Sequence, residues 1–146
     1  MSRLFSLGVL AAITALLSEL MIFSFFPKQS ILILALLVPI IEESIKFDIL
    51  WKGKSLLPRE FSAHFFSAIG AFGIGFAIPE GILAGSSGLA TNPLALAATM
   101  SIHLVSAFFL GGVVLFLMQR KAIPAFSLFI FSFAIHALYN FFVFIR

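Results

Sequence analysis

Five long apolar stretches, each ended by a polar or turn-forming cluster, set the pattern of the chain: Leu4 to Phe26, Ile31 to Trp51, Phe61 to Ala84, Leu94 to Met118 and Ala125 to Ile145. The separators read PKQS from Pro27, KGKSLLPRE from Lys52, GSSGLATNP from Gly85 and QRKAIP from Gln119, and they carry the Gly, Pro and Ser that interrupt regular structure. Each stretch has the roughly 20 residues that a helix needs to cross hydrocarbon. Backbone polar groups find no water there, so a helix is the form such a segment must take. The pattern predicts an all-α fold: a polytopic membrane bundle of five transmembrane helices, forming a single integral membrane domain over residues 1–146. The first run is longer than a signal-peptide core and no small-residue cleavage pattern follows it, so it is read as a helix of the mature protein.

Composition agrees with the pattern. The 146 residues are 62% hydrophobic and 10% charged, with a mean hydropathy of +1.19, which leaves lipid as the solvent for most side chains. Lipid, and not nucleic acid, is the partner this composition implies. The twenty Phe are expected to be lipid-facing bulk. Cysteine is absent, which excludes disulfides, thiolate metal sites and a cysteine nucleophile. Five crossings put Arg3, Lys52, Lys54, Arg59, Arg120 and Lys121 on one side and Lys28 and Arg146 on the other. The positive-inside rule then predicts a cytoplasmic N-terminus and an external C-terminus.

The informative residues are the polar ones inside the stretches: Glu19, Glu42, Glu43, Lys46, Asp48, His64, Glu80, His103, His136 and Asn140. An ionisable group at bilayer depth costs about 2.5–3.5 kcal/mol on insertion scales and by default marks a function facing the bundle interior. Counted at about 1.5 Å per residue from the external end of each helix, Glu42 lies roughly 16 Å deep and His103 and His136 about 13–14 Å. Asn140 and Glu80 come out shallower in the same half of the membrane. Glu42 and Glu43 stand four and three residues before Lys46, so either acid can take that cation. His136 and Asn140 stack on one helix face. Pro39 and Pro79 deprive the carbonyls of Ala35 and Gly75 of helical partners close to two of the acids.

Other polar residues read more plainly. His64 is expected to bond between helices. Asp48, Trp51 and Glu60 beside Arg59 fit the cytoplasmic interface, and Glu19 is either a site member or a group reaching the external surface. Ser67, Ala71, Gly75, Gly81 and Gly85, with Gly70 and Gly73, and then Ala107, Gly111 and Gly112, are small residues that let helix backbones approach in lipid.

Four segments together resemble one family. ALLVPIIEESIKF, around Glu42, Glu43 and Lys46, resembles the EExxK motif of the PrsW family of intramembrane proteases. AFGIGFAIPEGIL resembles its glycine-rich FxxxE helix at Phe76 and Glu80, IHLVSAFFLGG its histidine motif at His103, and IHALYNFF its last motif at His136 and Asn140. The four stand in the family's order, each on its own helix. The family is related to the CAAX-processing proteases, whose pattern has FxxxH where this chain has Glu80, and more distantly to a non-cleaving scaffold subunit of gamma-secretase. PrsW members usually carry more membrane helices than this chain.

The resemblance implies an intramembrane endopeptidase that hydrolyses membrane-anchored proteins or peptides, membrane-bound anti-sigma factors among them. It implies Glu42 as the base for a water, Glu80 as a second holder of that water, and Glu43 as a further catalytic-site acid that takes Lys46 as its structural partner and orients the pair. His136 and Asn140 become donors to the oxyanion, and His103 a general acid or further donor. Metal chemistry competes, since two His and one Glu with a water make a catalytic zinc shell, and Glu42, Glu80, His103 and His136 are the candidate ligands. The spacing is not HExxH, and Lys46 opposes a dication, so the cofactor expectation is none, with zinc as the alternative. A non-catalytic scaffold and a proton- or cation-coupled transporter are the readings from other classes.

Overall fold

The structure, a computed structural model, describes residues 1–25, 30–86 and 93–144. Lys28 and Arg146 of the charge argument, the expected helix ends at Phe26 and Ile145, and most of the first and third separators lie outside the described residues. Among the described residues the chain forms five helices: α1 (Ser2–Phe25), α2 (Ile31–Lys52), α3 (Ala63–Ser86), α4 (Pro93–Met118) and α5 (Ala122–Phe144). A single 3₁₀ turn, Lys54–Leu56, follows α2, and no strand occurs among the described residues.

Local chemistry sets the helix ends. Ser30 caps α2 by accepting the amide of Ile33 at 3.2 Å, and Ser62 accepts that of Phe65 at 3.2 Å, each satisfying an amide with no partner inside its own helix. That cap starts α3 two residues after the expected Phe61, and α3 runs on past Ala84 to Ser86. Pro39 and Pro79 lie inside helices that continue through them.

Among the described residues, four helical segments are long and apolar enough to cross a membrane: Ser2–Phe25, Ala63–Leu83, Pro93–Met118 and Ala122–Val143. By length and apolarity the count is four, one fewer than the five expected. Helix α2 is long enough, but Glu42, Glu43, Lys46 and Asp48 crowd its C-terminal half, and so many charges remove it from the set that length and apolarity alone define. Helix α1 packs on α3, α3 on α4, α4 on α5, α5 on α2 and α2 back on α1, with α2 also touching α4. The charged helix therefore has neighbours on several sides.

The core corrects the expectation of lipid-facing bulk for three of the phenylalanines, while others such as Phe25, Phe126 and Phe142 are exposed. Phe65, Phe72 and Phe76 are buried among Ala11, Ala12, Ala15, Ile69 and Leu110, because α3 is enclosed between α1 and α4 and has little face left for lipid. Helices α1 and α3 cross in close contact. A Cβ on Gly8 would meet the carbonyl oxygen of Phe72, and one on Gly75 would meet that of Phe5, so the two backbones touch where glycine permits it. Gly111 accommodates Ile69 and Gly112 accommodates Leu128. Gly85, expected in the same packing role, has nothing within 4 Å of its Cβ position.

These contrasts give a paired test. Gly8→Ala should lower stability in detergent by about 1–3 kcal/mol, the usual cost of overpacking, whereas Gly85→Ala should be neutral or slightly stabilising. Thermal unfolding of the two purified variants against wild type checks both.

Candidate functional site

The site is built outward from Lys46, which is completely buried. A lysine has three N–H donors and no acceptor, and here all three have partners. Nζ donates to Glu43 Oε1 at 2.7 Å, to Ser106 Oγ at 3.1 Å and to His103 Nδ1 at 3.2 Å. The ring of Phe76 covers it, with its centroid 4.1 Å away. The arrangement draws on α2, α3 and α4 at once.

Glu43, three residues earlier on α2, is satisfied at both oxygens. Oε1 accepts from Lys46 and from His136 Nδ1 at 2.9 Å, and Oε2 accepts from Ser132 Oγ at 2.5 Å. A buried ion pair is tolerable when its remaining lone pairs and protons find such partners. The hydrogen bonds also fix both histidines, since a carboxylate accepts and an ammonium donates. His136 therefore carries a proton on Nδ1 and turns Nε2 toward Glu42. His103 accepts at Nδ1, which places its own proton on Nε2. The two rings meet edge to face with centroids 5.1 Å apart.

Glu42 is the opposite case. It is 3% exposed, and its Oε2 makes no hydrogen bond among the described residues. That oxygen stands 3.5 Å from His103 Nδ1, 3.7 Å from His136 Nε2 and 3.7 Å from Lys46 Nζ. It lines a cavity of about 310 Å³ whose wall includes Glu19, Glu80, Thr99, Tyr139 and Asn140, with all five helices contributing. Glu19 and Glu80 each bring a further buried oxygen without a hydrogen-bond partner. Thr99 and Tyr139 bond to each other across α4 and α5 at 2.6 Å.

Of the residues singled out in the sequence, Glu42, Glu43, Lys46, His103 and His136 thus come into one cluster, and Glu80 and Asn140 line the cavity beside it. Glu19 resolves to the cavity wall. His64 does not join: it is exposed at the start of α3, not bonded between helices as expected. Asp48 is exposed and pairs with Lys52 at 2.6 Å. Sequence reasoning missed Ser106, Ser132, Thr99 and Tyr139. Their signal was present in helical spacing, because Thr99 and Ser106 flank His103 at four and three residues, and Ser132 and Tyr139 flank His136 likewise.

Glu42, His103 and His136 can each offer a ligand atom within 4.8 Å of the others, which is a geometry able to hold a metal ion. The bond from His136 to Glu43 is the kind of carboxylate support that metal-bound imidazoles use. Lys46 counts the other way, with its ammonium 3.7 Å from the Glu42 oxygen and its proton directed at His103 Nδ1. No protein-family model, no characterised protein and no solved structure matches the chain.

The inequality of the two adjacent acids is measurable. Glu43→Gln should leave Lys46 without its carboxylate in a dry interior and cost about 3–5 kcal/mol. Glu43→Gln combined with Lys46→Met should recover much of that loss, which a double-mutant cycle on detergent-solubilised protein would read.

Proposed function

We propose that this protein is an intramembrane peptidase, of the kind the PrsW-like motifs imply, in which Glu42 activates a water to hydrolyse a peptide bond of a membrane-anchored protein or peptide. The observation that carries the reading is the division between neighbouring carboxylates. Glu43 spends both oxygens holding Lys46, His136 and Ser132, while Glu42 keeps a buried, unbonded oxygen on a cavity. A purely structural acid gains nothing from such an oxygen, and a general base needs one.

The residues support a definite sequence of proton movements. A water between Glu42 and Glu80 gives a proton to Glu42 as its oxygen adds to the substrate carbonyl carbon. The N–H of His103 Nε2 and the amide of Asn140 are donors suited to the oxyanion, where one well-placed donor contributes about 2.7–4 kcal/mol. His136, anchored at Nδ1 by Glu43, has Nε2 as the group able to receive the proton from Glu42 and pass it to the leaving nitrogen. The carbon–nitrogen bond then breaks, leaving a carboxylic acid and an amine. Sequence reasoning gave the oxyanion to His136 and Asn140, and the hydrogen-bond directions favour exchanging the parts of the two histidines. Phe76, packed against both His103 and Lys46, excludes water from the side away from the cavity.

We read α2 as a fifth crossing helix. Glu42, Glu43 and Lys46 are 0–3% exposed, so these charges face the bundle and not lipid, the condition under which intramembrane charges occur. With five crossings, the basic residues between α2 and α3 and between α4 and α5 favour a cytoplasmic N-terminus. We read the chemistry as metal-free. A histidine whose Nδ1 accepts from Lys46 and whose Nε2 is protonated offers no lone pair to a metal, and Lys46 itself supplies the positive charge beside Glu42.

Glu42→Gln and Glu80→Gln should each lower cleavage by at least about 10²-fold, the scale of general acid–base catalysis, while the thermal midpoint stays near wild type. Cleavage of a quenched transmembrane peptide in proteoliposomes is the readout, and it should continue in the presence of a strong chelator. Wild-type cleavage by Glu42→Gln would defeat the reading, and chelator-sensitive cleavage would restore the metal.

A further inference from the structure

The chain between α2 and α3 builds a second cavity, of about 470 Å³, walled by Trp51, Lys54, Ser55, Leu57, Arg59 and Met118. None of these residues has a part in the proposed hydrolysis. Met118 is the last residue of the apolar crossing segment of α4, so the cavity lies at the level where that segment leaves hydrocarbon. Its wall joins two kinds of surface: the side chains of Trp51, Leu57 and Met118 are largely apolar, and those of Lys54, Ser55 and Arg59 are hydrogen-bond donors.

The donors face no anion of the chain's own. Lys54 Nζ stands 3.7 Å from the centroid of the Trp51 ring, which holds a cation in place without neutralising it. Neither Lys54 nor Arg59 forms an ion pair among the described residues, and neither the Arg59 guanidinium nor the Ser55 hydroxyl makes a hydrogen bond there. Acids nearby in the chain do not supply the charge. Asp48 is taken by Lys52 at 2.6 Å, and Glu60, next to Arg59, is exposed and outside the cavity wall.

Several contacts hold this wall in place. Leu57 is 6% exposed and belongs to the apolar core, and its amide closes the 3₁₀ turn on the Lys54 carbonyl at 3.1 Å. Gly53 lets the turn lie against α1, since a Cβ there would meet a methyl group of Leu7. Gln119 Nε2 donates to the Arg59 carbonyl at 3.3 Å, which ties the loop to the end of α4. Two like charges are thereby kept beside one cavity, and an anion between them would relieve their repulsion.

We propose that this cavity binds the phosphodiester headgroup of an anionic phospholipid. Arg59 offers a planar fork for two phosphate oxygens, Lys54 a point charge and Ser55 a hydroxyl, while Trp51, Leu57 and Met118 receive the glycerol and the first methylenes of the acyl chains. A free phosphate would leave those three side chains unused. This end of the bundle is the one that the positive-inside rule assigns to the cytoplasm, where anionic lipids give the membrane surface its negative potential. Trp51 suits the same level, because indole rings favour the headgroup region. Loss of peptidase activity would leave the lipid site intact, since the two cavities share no residue.

Trp51 is the single tryptophan of the chain, so its fluorescence reports on the cavity directly. Full-length protein in a nonionic detergent is titrated with dihexanoylphosphatidylglycerol, with dihexanoylphosphatidylcholine and with inorganic phosphate. Phosphatidylglycerol should change Trp51 emission saturably and raise the thermal midpoint, and the other two at equal concentration should do neither. Lys54→Gln and Arg59→Gln should each raise the half-saturating concentration at least about fivefold, the weight of one basic residue near an anionic membrane surface. Lys121→Gln, on the same side but outside the cavity wall, should leave it unchanged. No saturable response to phosphatidylglycerol would overturn the proposal. An equal response to phosphatidylcholine would show a site indifferent to charge, an equal response to phosphate a site for the free anion, and equal weakening by Lys121→Gln a diffuse surface field; each of these overturns it too. The wild-type titrations decide the matter even if a variant fails to fold.

Discussion

An ammonium group with no water around it needs a carboxylate and two further acceptors, and the bundle is arranged to deliver them to Lys46. Glu43 comes from the same helix, His103 and Ser106 from α4, and the covering ring of Phe76 from α3. Helix α5 joins through Glu43, to which His136 and Ser132 both bond. Four helices are thus tied to one buried ion pair. Apolar packing alone could not define their register so narrowly, since lipid tails and leucine side chains offer each other nearly the same environment.

The same constraint explains why two glutamates side by side have different fates. A helix turns about 100° per residue, so consecutive side chains diverge, and the face that meets α5 receives Ser132 and His136 as donors. The other face opens on the cavity. Asymmetry of this kind arises from the neighbours of α2 and not from α2 itself, which is why the five helices must be in place before either acid acquires its role.

That dependence also marks what could be read from the chain. The helices were legible because polar clusters separate apolar runs of membrane-spanning length, and the pairing of Lys46 with an acid followed from spacing. Which acid remained unbonded was not legible from spacing, because separations of three and four both reach the lysine, and only the resemblance pointed to Glu42. The contacts that decide it come from Ser132 and His136, about ninety residues further on. Phe76 was singled out with Glu80 by its motif, but its place in the core over Lys46 shows only in the enclosure of α3. Gly8 heads a small-residue spacing with Ala11, Ala12 and Ala15 on α1 that went unread, and a Cβ there would fall against the Phe72 carbonyl. Ser106 and Ser132 could have been found by extending each histidine one helical turn, toward its C-terminus for the first and its N-terminus for the second. Four spans and not five satisfy length and apolarity, because the helix that carries the charges is by that fact the least membrane-like.

Glu43 and Lys46 belong to one turn of one helix, and this bears on biosynthesis. Helix α2 emerges from the ribosome well before α4 and α5, so its ammonium must wait for the histidine and serine that eventually surround it. A counter-charge within the same turn offsets the ammonium of the newborn segment at once, while its later partners are still being made.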